Sequence, residues 1–199
     1  MTVDIRLAHT GDAAEILAIY APYCASTNVT FEVVTPTLEQ MRERITRISA
    51  DYPWLVAEAG GRVTGYVYAT RFRERAAYRW TAEVAIYVAM NAQRRGLGRA
   101  LYTSLFSVLR AQGYFKAVAG ITVPNSASVG LHEGVGFRHT GIFPGVGHKD
   151  GTWLDVGWWQ LDLQPEAGNP PDPQPFQSLR ESPAVAAALD EGRRSANRG

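Results

Sequence analysis

Seven consecutive residues, Gln93-Arg94-Arg95-Gly96-Leu97-Gly98-Arg99, hold the densest chemistry in the sequence. They follow a strand-like stretch and open a helix-like one. Gly96 and Gly98 let the backbone turn and approach a ligand without a Cβ in the way. The free N–H groups of a helix start, with the positive end of its dipole, suit a phosphate or pyrophosphate. Arg94, Arg95 and Arg99 add charge-assisted donors. The same residues also read as a glycine-rich turn with a solvated arginine cluster. The loop is not a P-loop, because no Gly-Lys-Ser/Thr occurs, and Gly-x-Gly-x-x-Gly is not completed after it.

Other chemistries are excluded more simply. One cysteine among 199 residues, Cys24, rules out an internal disulfide framework and a cysteine-built zinc site. Cys24 has no neighbouring base in sequence and reads as a small buried side chain rather than an acyl acceptor. His9, His139 and His148 have no metal-ligand spacing, so no metal is expected. A net charge of +1 gives no basic field for nucleic acid or an anionic membrane. No apolar run approaches the ~20 residues of a membrane span. The first six residues have no apolar core of a secretory signal. A soluble cytoplasmic protein is the expectation.

The elements that must position the loop follow from periodicity. Val3 to Ala8 alternates as a strand, and a helix runs over about 11–24. Thr37-Leu38-Glu39-Gln40 has capping-box spacing and opens a helix with Leu38, Met41, Ile45 and Ile48 on one face. Trp54 to Glu58 and Arg62 to Thr70 form a hairpin across Ala59-Gly60-Gly61. Strands over 81–88 and 116–121 flank a helix over 96–112. A helix over 125–135 is followed by two closing strands, 137–143 and 153–163, around a glycine-rich loop. This order gives a mixed sheet flanked by helices, in the α/β or α+β class. Six of the eleven prolines lie beyond Leu163, in a stretch without Trp, Tyr or Ile. A folded domain over 1–163 is therefore expected, with 164–199 a Pro-rich, poorly ordered tail. One short helix is possible there, capped by Ser182 with Pro183 at its first position.

Two motifs in order then carry a resemblance. Gln-x-x-Gly-x-Gly after a strand, and Asn125-Ser-Ala-Ser128 leading to Gly136-Phe137, resemble the signatures of the GCN5-related N-acetyltransferase (GNAT) family. Tyr52-Pro-Trp-Leu-Val-Ala-Glu58, Ala77-Tyr-Arg-Trp-Thr-Ala-Glu83, Leu131-His-Glu133 and Gly151-Thr-Trp-Leu-Asp-Val-Gly-Trp-Trp-Gln-Leu161 narrow it to the phosphinothricin and methionine sulfoximine acetyltransferase branch. The similarity covers nearly all of residues 3–163. It implies the GNAT fold: a mixed, mostly antiparallel seven-stranded sheet with about four helices, and acetyl-CoA as co-substrate.

The resemblance also implies roles. Ile86, Tyr87 and Val88 would pair their backbone with the pantetheine arm. Arg94, Arg95, Gly96, Leu97, Gly98 and Arg99 would cradle the pyrophosphate, and Asn125 would reach the thioester end. Gly134 leaves no side chain where relatives often carry one. Glu83 would take the amine proton, directly or through water. On an ideal strand Glu83 shares a face with Ala85 and Tyr87, although a bulge of the kind common in this fold would break that parity. His132, where the wider family often has tyrosine, would be an acid for the CoA thiolate or a base with Glu83. Phe31, Arg75 and Tyr78 would hold the substrate, the guanidinium facing a carboxylate or phosphinate. A homodimer is implied as well, with Trp153, Trp158 and Trp159 serving core and interface.

Three functions compete at this stage. The first is N-acetylation of a small amino-acid analogue by direct attack on acetyl-CoA, with no nucleic-acid or membrane partner. The second is acetylation of a protein or peptide N-terminus. The third is a non-catalytic CoA-binding module, against which the presence of both Glu83 and His132 counts.

Overall fold

The order of elements follows the periodicity closely. A computed structural model describes residues 2–198. The strands are β1 (Val3–Leu7), β2 (Trp54–Ala59), β3 (Arg62–Arg71), β4 (Thr81–Val88), β5 (Lys116–Val123), β6 (Arg138–Lys149) and β7 (Thr152–Asp162). They form one sheet in the order β1-β2-β3-β4-β5-β7-β6. Every neighbouring pair is antiparallel except β4 and β5. Helices α1 (Ala13–Ser26) and α2 (Leu38–Asp51) bury Ile16, Ile19, Met41 and Ile45 with Trp54 and Tyr66. Helix α3 (Leu97–Gln112) buries Leu101, Tyr102 and Leu105 with Leu55, Val67 and Ala119, alternate strand residues that point to the other face. Helix α4 (Ser126–Gly134) follows β5. The expected capping box is present: the Gln40 amide donates to Thr37 Oγ1, and the Thr37 amide donates back to Gln40 Oε1.

The parallel pair positions the site. β4 and β5 are in register only from Thr81 to Glu83 against Lys116 to Val118. Beyond Glu83 the two strands part, and β5 continues with β7 as far as Val123. The sheet therefore splits, and one backbone edge of β4 past Glu83 lacks a strand partner. Such an edge is a row of free donors and acceptors for an extended ligand.

Two expectations need correction. The glycine-rich loop expected between the closing strands is narrow: β6 runs to Lys149 and turns to β7 at Asp150 and Gly151. Both turn residues have positive φ, 49° and 77°, as a two-residue hairpin turn requires. Asp-Gly is the signal for that turn, while Gly141, Gly145 and Gly147 masked the strand before it. The segment after Leu163 is also not a loose tail. Helix α6 (Pro183–Ala196) packs on α3 and β1 and helix α5 (Phe176–Leu179) on α2, burying Phe176, Val185 and Ala188 with Val108 of α3. Ser182 caps α6 as expected. The tail's few apolar residues suffice because they share one helical face, and Gly192 lets that face lie against Ala100 and Ser104. Ser104 Oγ donates to the Ala188 carbonyl, and Arg193 pairs with Asp4.

Candidate active site

The split between β4 and β5 opens into a cleft of about 490 Å³. Ile86 and Val88 line it from β4. Arg94, Gly96, Leu97, Gly98 and Arg99 line it from the loop and first turn of α3, and Asn125, Ala127, Ser128 and Leu131 from α4. Gly96 is the N-cap of α3 at φ +78°, a conformation only glycine adopts freely, and no side chain caps the helix. The first-turn N–H groups are thus left for a ligand, and no acidic residue stands in that turn. Arg94 also has positive φ, 59°, in a loop that holds its backbone in an uncommon region. A Cβ on Gly134 would lie 3.5 Å from Arg99 Nη2, so the small residue gives that guanidinium room over α4. An exposed dipole end, two lining arginines and a free strand edge suit an anionic, extended ligand such as acetyl-CoA.

Not every expected loop residue faces the cleft. Arg95 is exposed and outside the lining. The β3–β4 register runs unbroken from Gly65↔Val88 to Arg71↔Ala82, so the strand's parity holds. Tyr87 therefore points opposite to Ile86 and Val88, into an aromatic cluster with Tyr20, Tyr23 and Tyr66. Only its backbone is available to the cleft. Asn125 is the N-cap of α4, its Oδ1 accepting from the Ser128 amide at 3.1 Å. Gln93, the first residue of the motif, is a tie rather than a contact. Its Nε2 donates to Tyr23 Oη at 2.9 Å, and that hydroxyl donates to the Val88 carbonyl at 2.7 Å.

Glu83 is the last β4 residue paired with β5 and lies at the apex of the split. Its face lines a cavity of about 330 Å³ with Glu32, Arg44, Arg47, Tyr68 and Thr70. Burial raises its carboxyl above the ordinary glutamate value, and the charge of Arg73 partly offsets this. The Tyr68 phenol is likewise pushed up to about 12 by burial. A carboxylate with raised basicity at the point where the cleft begins is placed to accept a proton.

His132 lies behind the cleft wall. It is 4% exposed, and Nε2 lies 2.7 Å from Tyr102 Oη while Nδ1 lies 2.8 Å from the Ser128 carbonyl. Its ring packs edge-on to Tyr102 and Phe137. Burial lowers its pKa, so it is neutral near pH 7. The i, i+4 spacing puts Ser128 on the cleft and His132 one turn behind it, with Ser128 Oγ 3.4 Å from Nδ1. Both ring nitrogens are engaged inside the core.

The substrate residues are dispersed. Phe31 rests against Gly147 of the β6–β7 hairpin, where any Cβ would overlap the ring. Residues 76–78 form a single 3-10 turn after Arg75, and Tyr78 stacks edge-on against Phe72. Arg75 lines a separate cavity with Arg71, Arg79, Tyr52 and Tyr114. The loop arginine whose charge reaches Glu83 is Arg73, which lies 4.3 Å from the Phe72 ring and 5.6 Å from that of Trp158. Its place in a crowded arginine loop did not distinguish it. Lys149 was missed altogether. It is 2% exposed, and Nζ donates to the carbonyls of Cys24, Thr27 and Thr30. It thereby fixes the end of α1 and the turn whose Thr27 and Val29 wall the cleft. Nothing in sequence separates such a lysine from a solvated one.

Split sheet, uncapped helix and half-buried carboxylate together fit an acyl-CoA-dependent transferase. The acetyltransferase (GNAT) domain model matches residues 5–158. A phosphinothricin N-acetyltransferase of Streptomyces viridochromogenes is 41% identical over 171 residues, covering 86% of this chain and 92% of the relative. An L-methionine sulfoximine/L-methionine sulfone acetyltransferase of Pseudomonas aeruginosa is 37% identical, covering 85% of this chain and all of the relative. The crystal structure of a phosphinothricin acetyltransferase from Sinorhizobium meliloti, in complex with acetyl-CoA, superposes with a TM-score of 0.78 at 34% identity, covering 84% of this chain and 95% of that one. The chain belongs to the GNAT acetyltransferase family, and its co-substrate is acetyl-CoA.

Proposed function

We propose that the chain acetylates the α-amine of a small amino-acid analogue of the phosphinothricin or methionine sulfoximine type. The observation that carries this is Glu83, half-buried at the apex of the split sheet beside an arginine-rich loop. The names of the relatives support it. In the reaction, Glu83 accepts a proton from the substrate ammonium, directly or through water. The freed amine attacks the thioester carbonyl, a C–N bond forms, the C–S bond breaks to release CoA as thiolate, and the second amine proton leaves the nascent amide through solvent to the thiolate. The free edge of β4 holds the pantetheine arm, and the start of α3 with Arg94 and Arg99 holds the pyrophosphate. Arg73 and Arg75 supply cations for the substrate's carboxylate and its tetrahedral polar end, and Phe31 and Tyr78 cover its aliphatic chain. Loop closure must bring these last residues together, as is common on ligand binding.

The test is thiol release at fixed acetyl-CoA with phosphinothricin, methionine sulfoximine, glutamate and an N-terminal peptide. A site built for a tetrahedral polar end leaves buried donors unpaired with glutamate, a loss of roughly 10²–10⁴ in selectivity. Reaction of the peptide and of neither analogue would transfer the assignment to N-terminal acetylation. The enzyme works as a homodimer in the cytoplasm. Supporting the dimer, Ile142, Phe143, Val146 and Trp153 are exposed on the β6–β7 hairpin at the sheet's edge. No helix among the described residues is long and apolar enough to cross a membrane.

A further inference from the structure

The segment after β7 crosses the base of the β3–β4 loop before its helices begin. Arg110 Nε donates to the Leu163 carbonyl and Gln164 Nε2 to the Tyr114 carbonyl. The segment then meets the loop itself. Trp80 Nε1 donates to the Pro171 carbonyl at 2.8 Å, and Arg79 pairs with Asp172 at 2.6 Å. Just beyond, the Gln174 amide donates to the Gln112 carbonyl, and the buried Gln112 side chain donates back to the Gln174 carbonyl. Phe176, 1% exposed, ends the crossing. A proline-rich chain is suited to this course, because its extended backbone loses little entropy on being pinned.

Arg79 and Trp80 are the last two residues before β4, which carries Glu83 three positions on. They are the C-terminal root of the loop that bears Arg73, Arg75 and Tyr78. The cavity of about 390 Å³ beside Arg71, Arg75 and Arg79 is closed on its far side by residues 172–175. The GNAT domain match ends at residue 158, before this segment. A relative matched over its whole length accounts for only 85% of this chain.

We infer that residues 164–176 are a strap that positions the substrate loop, with Asp172 as its positioning residue and the Pro171 carbonyl as its second anchor. Without the strap, the root of the loop has neither its ion pair nor its indole hydrogen bond. The loop then samples more conformations, and amine binding weakens while acetyl-CoA binding, on the opposite side of β4, does not. That the loop binds the amine rests on the function proposed above; that the strap holds the loop does not.

The loop's own arginines provide a substrate-independent test. Full-length protein is digested briefly with trypsin, and cleavage after Arg71, Arg73 and Arg75 is quantified by mass spectrometry for wild type, Asp172→Ala, Trp80→Phe and the double variant. Asp172→Ala should raise cleavage about twofold to fivefold, the population change an exposed ion pair supports. The double variant should raise it about tenfold, with the melting temperature little changed. Arg79→Asp combined with Asp172→Arg should restore part of the protection. In kinetics, the double variant should raise KM for phosphinothricin at least threefold and leave KM for acetyl-CoA unchanged. Unchanged cleavage in the folded double variant overturns the strap. Increased cleavage with an unchanged KM for an amine that wild type acetylates overturns its positioning role. Increased cleavage in a protein that acetylates no analogue leaves the strap standing and removes the proposed function instead.

Discussion

Replacing His132 with alanine separates a chemical histidine from a structural one. The imidazole lies in the core between α3 and α4, with Tyr102 Oη 2.7 Å from one nitrogen and the Ser128 carbonyl 2.8 Å from the other. His132→Ala leaves the Tyr102 hydroxyl buried without its partner, at a cost of about 1–3 kcal/mol, and empties space beside Tyr102 and Phe137. A total loss of roughly 2–4 kcal/mol lowers the melting temperature by about 5–15 °C in a chain of this size. Turnover per folded molecule, measured by thiol release well below that melting temperature, should change by less than about tenfold. The stability profile gives a second readout. Burial lowers the folded-state pKa of His132, so below pH 6.5 the unfolded chain takes up a proton that the folded chain refuses. Stability due to neutral His132 is present above pH 6.5 and is lost as pH falls from there toward the lowered folded value. His132→Asn should flatten that part of the profile. An unchanged melting temperature with turnover down 10²-fold or more, the scale of a lost acid–base group, would refute the structural assignment.

Three other perturbations follow from the geometry. Gly98→Val places a Cβ 2.8 Å from Leu131 Cδ2 and drives a branched side chain into the cleft wall, so calorimetry should show acetyl-CoA binding weakened tenfold or more, about 1.4 kcal/mol; equal affinity in a folded variant would remove this turn from the binding site. Lys149→Met removes a side-chain donor to three carbonyls at the end of α1 and in the turn after it, and should lower stability in thermal unfolding by at least about 2 kcal/mol; an unchanged transition would show the lysine dispensable. With Glu83 as the proposed base, kcat/KM should fall with decreasing pH through a pKa above the ordinary glutamate value of 4.5, and an acid limb at or below 4.5 would contradict this role.

The sequence was most legible where local chemistry decides structure. The capping box at Thr37, the two glycines at the start of α3 and the alternation along β4 each act within a few residues, and each forms as read. Glu83 could be found because its strand and motif fix its place. Helical spacing put His132 on the face of Asn125 and Ser128 but could not show how deep that residue lies. Arg73 and Arg75 are both arginines of one loop, and only the packing of Phe72 on Trp158 decides which comes near Glu83. Lys149 depends on contacts about 120 positions away, which no local pattern records. The tail was misread for the opposite reason: its composition is poor in core residues, but three buried apolar side chains and a close-packed glycine are enough when α3 is already there to receive them.

The central claim is that Glu83 moves the proton while the split sheet holds acetyl-CoA. Its most direct measurement is Glu83→Gln, assayed for acetyl-CoA binding by calorimetry and for thiol release with phosphinothricin. The variant keeps the shape and removes the base. It should bind acetyl-CoA as wild type does and lose about 10²–10⁴-fold in turnover. Near wild-type turnover in the variant would contradict the account.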